Sequence, residues 1–213
     1  MSAVVELRQY TLKPGQRDVL IDLFEREFVE SQEAQGIDLI GTFRDAGDPD
    51  RFVWLRGFPD MDARAKSLAA FYGGPIWRRH RDAANATMID SDNVLLLKPA
   101  WEGAGFPGGG TGATGGGRVL ATIYYCDGPV PEQFIAAFRE AIPAKGSLAC
   151  FVTEASPNSF PALPVREGEN VLVRFALDAD AQPLPSGVER HLSKPVERLR
   201  LLPTARSRLS SSV

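Results

Sequence analysis

The chain has 213 residues, enough for two domains of about 100 residues each, and its 44% hydrophobic and 24% charged residues are ordinary for a globular protein. A net charge of −3 gives no reason to expect binding to nucleic acid or to a membrane surface. There are two cysteines, Cys126 and Cys150, no secretory signal and no apolar run of about 20 residues, so we expect free thiols in a cytoplasmic protein.

The first hundred residues alternate between strand and helix patterns. A stripe of apolar side chains at helical spacing predicts a helix over residues 16–35, and strand-like segments flank it. The order β-α-β-β-α-β is that of a ferredoxin-like domain, whose helices cover one face of a four-stranded antiparallel sheet. The predicted strands are residues 3–10, 37–44, 51–58 and 93–98, and two further helical runs, 61–71 and one after Gly73-Gly74-Pro75, precede the last strand.

The strand predicted at residues 51–58 has two different faces. Val53 and Leu55 form an aliphatic face, which suits packing beneath helices. The opposite face carries aromatic side chains around one arginine, which suits a pocket better than a sealed core. We therefore predict that this face turns away from the helices, toward a second sheet. Its members are Phe52, Trp54, Arg56 and Phe58, with Glu6, Arg8 and Tyr10 of the first strand.

The pattern of the first half recurs after a glycine-rich segment. Tyr124 falls on Tyr10 and Phe138 on Phe24 with one offset (124 − 10 = 138 − 24 = 114), and Arg174 is aligned with Arg56. We predict a ferredoxin-like domain at 1–104, a flexible linker at 105–117 and a diverged copy at 118–213. The predicted fold is α+β: two ferredoxin-like domains packed sheet to sheet as an internal, pseudo-dimeric α/β barrel, the second half serving as partner and lid.

The second helical run of the first half carries a basic and aromatic face. Trp77, His80, Arg81 and Met88 recur at helical spacing, so they share one side of that run. With the aromatic strand face they are candidates to line a ligand pocket inside the barrel. The alternative is that Trp54 and Trp77 are ordinary core residues and that the basic residues from Arg78 to Arg81 form a solvent-exposed face. No cluster of His, Cys, Asp and Glu has metal-ligand spacing, so we expect no metal site.

Several of these stretches together resemble the NIPSNAP family. They are the sequence VELRQY at residues 5–10, Lys13-Pro14-Gly15, DRFVWLRGF at residues 50–58, and the region from Phe71-Tyr72 to Trp77-Arg78. The resemblance covers about residues 3–100 and is more specific as a set than in any one piece. It implies a fold similar to the dimeric α/β-barrel superfamily, which includes cofactor-independent monooxygenases, isomerases and haem enzymes.

Two functional classes follow from these observations. In the first, the chain binds or transforms a small metabolite: Arg56 stabilises negative charge and His80 or Tyr10 moves a proton, as in cofactor-independent oxygenase or isomerase chemistry. A haem-binding barrel with His80 as ligand is a variant of this class. In the second, suggested by animal members of the family, the chain is a non-enzymatic adaptor. Glu6, Arg8 and Arg56 are either a structural ion-pair network or an anion site. We expect a small-molecule ligand and no nucleic-acid or membrane partner, and we leave further homo-oligomerisation open.

Overall fold

Eight antiparallel strands form a closed barrel in the computed structural model, which describes residues 2–106, 118–141, 147–177, 185 and 187–209. Around the barrel the order is β1-β3-β2-β8-β5-β7-β6-β4. Residues 107–117, most of the predicted linker, lie outside the described residues. The strands are β1 Val4–Leu12, β2 Asp38–Asp45, β3 Arg51–Phe58, β4 Met88–Pro99, β5 Val119–Cys126, β6 Ser147–Thr153, β7 Asn170–Leu177 and β8 Glu197–Pro203.

The barrel consists of two halves with the same strand order. The first half reads β4-β1-β3-β2 and the second β8-β5-β7-β6, as two ferredoxin-like sheets do. Two seams close the ring: β2 pairs with β8, where Phe43 lies opposite Pro203, and β4 pairs with β6, where Leu97 lies opposite Thr153. The predicted fold is confirmed.

The helices lie outside the barrel. Helix α1 (Arg17–Leu23) continues through a π-helical turn (Phe24–Phe28) into α2 (Val29–Glu33), and α3 (Met61–Tyr72), α4 (Pro75–Thr87) and α5 (Glu132–Ala141) follow. The α3 helix begins where the Asp60 carboxylate accepts a hydrogen bond from the Ala63 amide at 2.7 Å. In the second half, a 3₁₀ turn at Glu189–His191 follows β7. No described helix is both long and apolar enough to cross a membrane.

The barrel interior is filled with apolar side chains from both halves. Val5, Leu7, Val53 and Leu55, the residues predicted to lie under helices, belong to this inner core instead. An eight-stranded barrel has an interior just wide enough for its side chains to fill. The inward-pointing side chains of both halves, aliphatic and aromatic alike, fill this space. The prediction of a pocket inside the barrel is wrong. The second half contributes Ile123, Val171, Val173, Phe175 and Leu201, among others, to this inner core.

The aromatic and charged face of β1 and β3 points outward, beneath the helices. The aromatic and charged side chains on this face fill the layer between the sheet and the helices. The prediction that this face meets the second sheet is therefore wrong. The outward-facing aromatic residues are Tyr10, Phe52, Trp54 and Phe58, and Phe24, Phe28 and Phe71 of the helices pack on them.

The strand register also corrects the alignment of the two halves. Arg56 lies opposite Glu6, whereas Arg174 lies opposite Thr122. Since Thr122 corresponds to Arg8 at the offset of 114 residues, Arg174 corresponds to Trp54, and Ala176 takes the place of Arg56. The predicted equivalence of Arg174 and Arg56 is wrong by two residues.

Candidate functional site

Three arginines surround the carboxylate of Glu6 beneath the helices. Arg56 Nε donates to Glu6 Oε2 at 2.7 Å, Arg8 Nη1 donates to the same oxygen at 2.8 Å, and Arg64 Nε donates to Oε1 at 2.6 Å. None of the four side chains is more than 1% exposed. One carboxylate and three guanidinium groups make a buried cluster with a formal charge of +2 (3 − 1).

The arginines hold Glu6 in its charged form. Burial by itself raises the pKa of a carboxyl group, but the attraction of Arg56, and then of Arg8 and Arg64, outweighs it and holds the pKa of Glu6 well below its usual range. For Arg64 the balance is reversed: burial lowers its pKa more than Glu6 raises it. Burial is thus the dominant influence on Arg64, and the neighbouring guanidinium groups of Arg56 and Arg8 lower its pKa further.

Arg8 connects the cluster to Tyr10, its neighbour on the outward face of β1. Its Nε donates to the Tyr10 hydroxyl oxygen at 3.1 Å, and its guanidinium lies 5.5 Å from the ring centroids of both Tyr10 and Trp54. Burial raises the pKa of Tyr10, so the phenol stays protonated at neutral pH.

Arg56 connects the cluster to the helices. Its Nη1 donates to Gln32 Oε1 at 3.1 Å and to the Tyr72 hydroxyl at 3.4 Å, and its guanidinium lies 4.9 Å from the Trp54 ring centroid. Its Nη2 is buried and has no hydrogen-bond partner in the described structure. The indole Nε1 of Trp54 is also buried without a hydrogen-bond partner in the described structure.

Arg64 reaches the cluster from α3 and connects it to the second half of the chain. Its Nη1 donates to Asn158 Oδ1 at 2.9 Å and to Ser159 Oγ at 3.1 Å, while its buried Nη2 finds no partner among the described residues. Asn158 and Ser159 belong to residues 154–169, the connection between β6 and β7, which we call the strap. The strap therefore supplies two of the groups that hold Arg64.

The strap lies across the helical face of the first half. Ser159 Oγ donates to the Met61 carbonyl oxygen at 2.9 Å, and the Phe160 ring stacks on the Tyr72 ring. Near its two ends, the amides of Glu154 and Arg166 donate to carbonyl oxygens of β4 at 2.8 and 2.9 Å. The strap is thus fixed at both ends and in the middle.

A small cavity lies beside the arginine cluster, between β1, β3 and the helices. We call it the aromatic cleft; its volume is about 20 Å³, enough for about one water molecule. The π-helical turn contributes Phe24 and Phe28 to its wall, and such turns are frequent at functional sites. The other walls are formed by Tyr10, Gln32, Trp54, Tyr72, Trp77 and Met88, among others.

A larger cavity of about 360 Å³ lies along the strap, beside Leu95 and Leu96. Its charged lining is Glu154, Glu167 and Glu169 against one Arg166. Arg166 already donates to the Tyr125 hydroxyl at 3.0 Å and pairs with Glu169. Arg166, the one cation in this lining, is already paired. This cavity is therefore a weaker candidate for a ligand site than the aromatic cleft.

The first half of the chain is similar in sequence to a known protein family. Residues 5–101 match the NIPSNAP family. A NIPSNAP-like domain protein from Burkholderia xenovorans is 30% identical over 45% of this chain and 84% of its own, with a TM-score of 0.42. The chain belongs to the NIPSNAP family through its N-terminal half. A comparison with curated proteins gives no match.

Two solved structures match nearly the whole NIPSNAP chain and show its fold. A Lactobacillus acidophilus protein described as a candidate monooxygenase is 12% identical, with a TM-score of 0.59 over 95% of this chain and 94% of its own. A Fusobacterium nucleatum protein described in the same way is 10% identical, with a TM-score of 0.58 over 94% of this chain and 91% of its own. At such identities the likeness shows the α/β-barrel architecture alone.

The NIPSNAP half brings most of the predicted site residues together. Glu6, Arg8, Tyr10, Trp54 and Arg56 meet as described. Two other groups of predicted residues lie around them: Phe52 and Phe58 in the same aromatic layer, and Trp77 and Met88, partly buried, in the wall of the aromatic cleft.

Two predicted residues lie apart from the site. The Arg81 side chain is 56% exposed and pairs with Asp82, so it does not line a pocket. His80 Nε2 is 3.4 Å from Glu27 Oε2, and its ring contacts the edge of Phe28 rather than the arginine cluster. The surface position of Arg81 follows from the helical register, since Trp77 and Ala84 turn inward and Arg81 falls beside that stripe.

The haem alternative does not fit these residues. A cofactor of that size needs a pocket of several hundred Å³, and the cleft near His80 has about 20 Å³. A carboxylate oxygen of Glu27 lies 3.4 Å from the Nε2 of His80. In the described part of the chain, no group of three or more His, Cys, Asp or Glu side chains could hold a metal ion.

Sequence reasoning missed several residues of the site. Arg64 shares the buried face of α3 with Leu68 and Phe71, at i, i+4 and i+7, so a charged residue on an apolar helix face was the available signal. Gln32 likewise continues the stripe of Leu20, Phe24 and Phe28. No local pattern points to Asn158 and Ser159, which come from a distant part of the chain. Tyr72, at the end of α3, was also missed.

Proposed function

We propose that this NIPSNAP protein binds a small organic molecule in the aromatic cleft and that, where it acts on that molecule, the reaction is of the cofactor-independent oxygenase or isomerase kind. One observation carries the proposal: three polar side chains border an aromatic cavity, and each accepts a hydrogen bond from a buried guanidinium group. They are Tyr10 on Arg8, and Gln32 and Tyr72 on Arg56. Apolar walls with a few oriented polar groups are typical of small-molecule sites.

Tyr10 is the residue best arranged to move a proton. Its hydroxyl oxygen accepts a hydrogen bond from Arg8, so its own O–H can donate toward the cleft. Because burial raises the pKa of Tyr10, the phenol is the form present at neutral pH. The guanidinium of Arg8 would stabilise a phenolate after proton transfer, and Arg56 would stabilise negative charge on the bound molecule. His80 has no role in this proposal because it lies outside the cleft.

Ligand entry requires the cleft to widen. Its volume of about 20 Å³ is far below the several hundred Å³ of a typical ligand pocket. The outer wall is formed by Tyr72, Trp77 and Met88, which are only partly buried and can move without disturbing the inner core. The irregular helix between Phe24 and Phe28 is a second place where the wall can yield.

The adaptor alternative has less support. A docking surface needs a contiguous exposed apolar patch. In the described chain, Val19 and Ile89 are the exposed large hydrophobic side chains, at 52% and 64% exposure. Two such residues do not make a patch, whereas the cleft combines cavity, aromatic walls and buried charge. We also keep cytoplasmic location as a prediction.

Tryptophan fluorescence tests the proposal. Trp54 and Trp77 line the cleft, and Trp101 packs in the second half, so a Trp101→Phe variant reports on the cleft alone. We expect saturable quenching by at least one of benzoate, phenylacetate and benzyl alcohol, and its loss when Met88→Phe narrows the entrance without adding a fluorescent tryptophan. Ile89→Phe, at an exposed neighbouring position, is the matched control and should still bind. If none of the three compounds causes saturable quenching, the proposal is wrong.

A further inference from the structure

We infer that the cleft ligand is an anion, a small carboxylate with an aromatic or apolar body, and that Arg56 and Arg64 hold its charged end. This inference rests on the proposed function, because it names the class of molecule that the same site accepts. It adds a role for Arg64 and for the strap, which were not among the site residues predicted from the sequence.

The arginine cluster carries an excess of positive charge. Glu6 compensates one of three buried guanidinium groups, and no second carboxylate is bonded to any of them in the described structure. Arg8 has Tyr10 and the Ser91 carbonyl as further partners, Arg56 has Gln32 and Tyr72, and all four of these are uncharged. Buried cations without a counter-charge are strongly unfavourable. A monoanion would reduce the formal charge from +2 to +1, and a dianion would neutralise it.

Three hydrogen-bond donors of the site have no acceptor among the described residues. Arg56 Nη2, Arg64 Nη2 and Trp54 Nε1 are all buried without a partner in the described chain. All three are donors and none can accept. A ligand that satisfies them must therefore present acceptors alone, as a carboxylate does with its two oxygens. A neutral alcohol or amine would bring donors of its own to a site that has a surplus of them.

The guanidinium groups of Arg56 and Arg64 are each held in place by two or more hydrogen bonds. Each is fixed by a short bond from Nε to Glu6 and by a second bond from Nη1, which leaves Nη2 oriented without further ordering. Groups held in place in advance bind with less loss of conformational entropy. Asn158 and Ser159 of the strap hold Nη1 of Arg64, so the second half positions one of the two binding groups.

Binding of benzoate and benzyl alcohol, which share a ring and differ in charge, tests the inference. In the wild-type chain we expect calorimetry to give benzoate about tenfold or more higher affinity than benzyl alcohol, as charge-assisted hydrogen bonds provide. Arg64→Gln should remove this preference. Arg174→Gln, which removes a buried arginine of the second half, should keep it. Equal affinity for the two compounds would overturn the anion inference and leave the proposed function standing.

Bromide soaking of wild-type crystals tests the same point without depending on any variant or organic ligand. We expect an anomalous peak within hydrogen-bond distance of Arg56 Nη2 or Arg64 Nη2. A water molecule at that place with no anomalous signal would overturn the inference. Bromide at the arginines, in a protein that binds no aromatic compound, would instead support the anion site and contradict the proposed function.

Discussion

The ring of Phe160 lies almost parallel to the ring of Tyr72, with centroids 6.1 Å apart and planes at 21°. Through this contact a residue of the second half covers a residue that borders the ligand cleft of the first. Tyr72 also accepts a hydrogen bond from Arg56. A continuous set of contacts therefore joins the strap to the cleft wall and the cleft wall to the charged cluster.

Phe160→Ala should loosen the strap without unfolding the barrel. An aromatic pair contributes about 0.5–1.5 kcal/mol beyond its buried area, and the partly buried Phe160 lies outside the inner core, so we expect a modest loss of global stability. Hydrogen exchange should speed up at the amides of the strap, especially at Leu163, which donates to the Phe160 carbonyl. Phe160→Tyr keeps the ring and should leave exchange unchanged. Unaltered exchange in Phe160→Ala would contradict the role of this contact.

Glu6→Gln should be more destabilising than loss of any one of the three arginines. The substitution leaves three buried guanidinium groups without a counter-charge, whereas removal of one arginine leaves Glu6 two partners. Breaking a buried pair costs about 3–5 kcal/mol, and we expect at least that for Glu6→Gln in chemical unfolding at pH 7. A smaller loss than in Arg8→Gln would show that Glu6 is not the centre of the cluster.

The stability that Glu6 provides should depend on pH in a defined range. Its folded-state pKa lies below the ordinary value of 4.5, so the folded state releases this proton more readily than the unfolded state. The contribution is therefore fully present above about pH 5 and decreases as the pH falls through 4.5 toward the lower, folded-state pKa. The difference in unfolding free energy between wild type and Glu6→Gln should shrink between pH 5 and pH 3. A difference that stays constant over that range would contradict the pKa direction.

Arg174→Met should leave stability unchanged or increase it. Arg174 is 5% exposed, and its Nε and Nη2 have no hydrogen-bond partner in the described chain. Replacing a poorly compensated buried charge with an apolar side chain of similar length is often stabilising, by about 1–4 kcal/mol. Arg166→Met is the control: Arg166 is paired with Glu169 and Tyr125, so its loss should lower the melting temperature. Destabilisation by Arg174→Met would indicate a partner for this guanidinium.

Cleavage of the chain between residues 106 and 118 should leave the two halves associated. The inner core combines Val53 and Leu55 with Val173 and Phe175, and these side chains would be exposed to water in either half alone. After limited proteolysis in this segment, size-exclusion chromatography should show one species of the original mass. Two separate soluble fragments would contradict the shared core.

The sequence predicted the strands and their grouping better than their orientation. Alternation along residues 51–58 correctly separated Val53 and Leu55 from Trp54 and Arg56. A period of two identifies the residues that share a face, but it does not tell which face points into the barrel. That choice depended on the space available inside eight strands, which is a property of the closed ring.

The charged cluster was predictable only where its members are neighbours on adjacent strands. Glu6, Arg8 and Arg56 follow from strand pairing. Arg64 comes from a helix and Ser159 from the far half of the chain, 95 residues later (159 − 64), so their meeting depends on tertiary packing. The alignment of Arg174 with Arg56 failed for a related reason: few identities fix the register of a diverged copy, and a shift of two residues preserves the alternation.

The two seams that close the barrel join different strands of one continuous chain, β2 to β8 and β4 to β6. In an assembly of two identical subunits, every substitution appears twice, so a residue that improves a binding site also appears in the subunit that covers it. Here each half can change independently. The second half has Leu120, Thr122 and Ala176 where the first has Glu6, Arg8 and Arg56, and its strap reaches across to the first half. A barrel made from one chain can therefore place the charged cluster in one half and part of its cover in the other, which a pair of identical subunits cannot do.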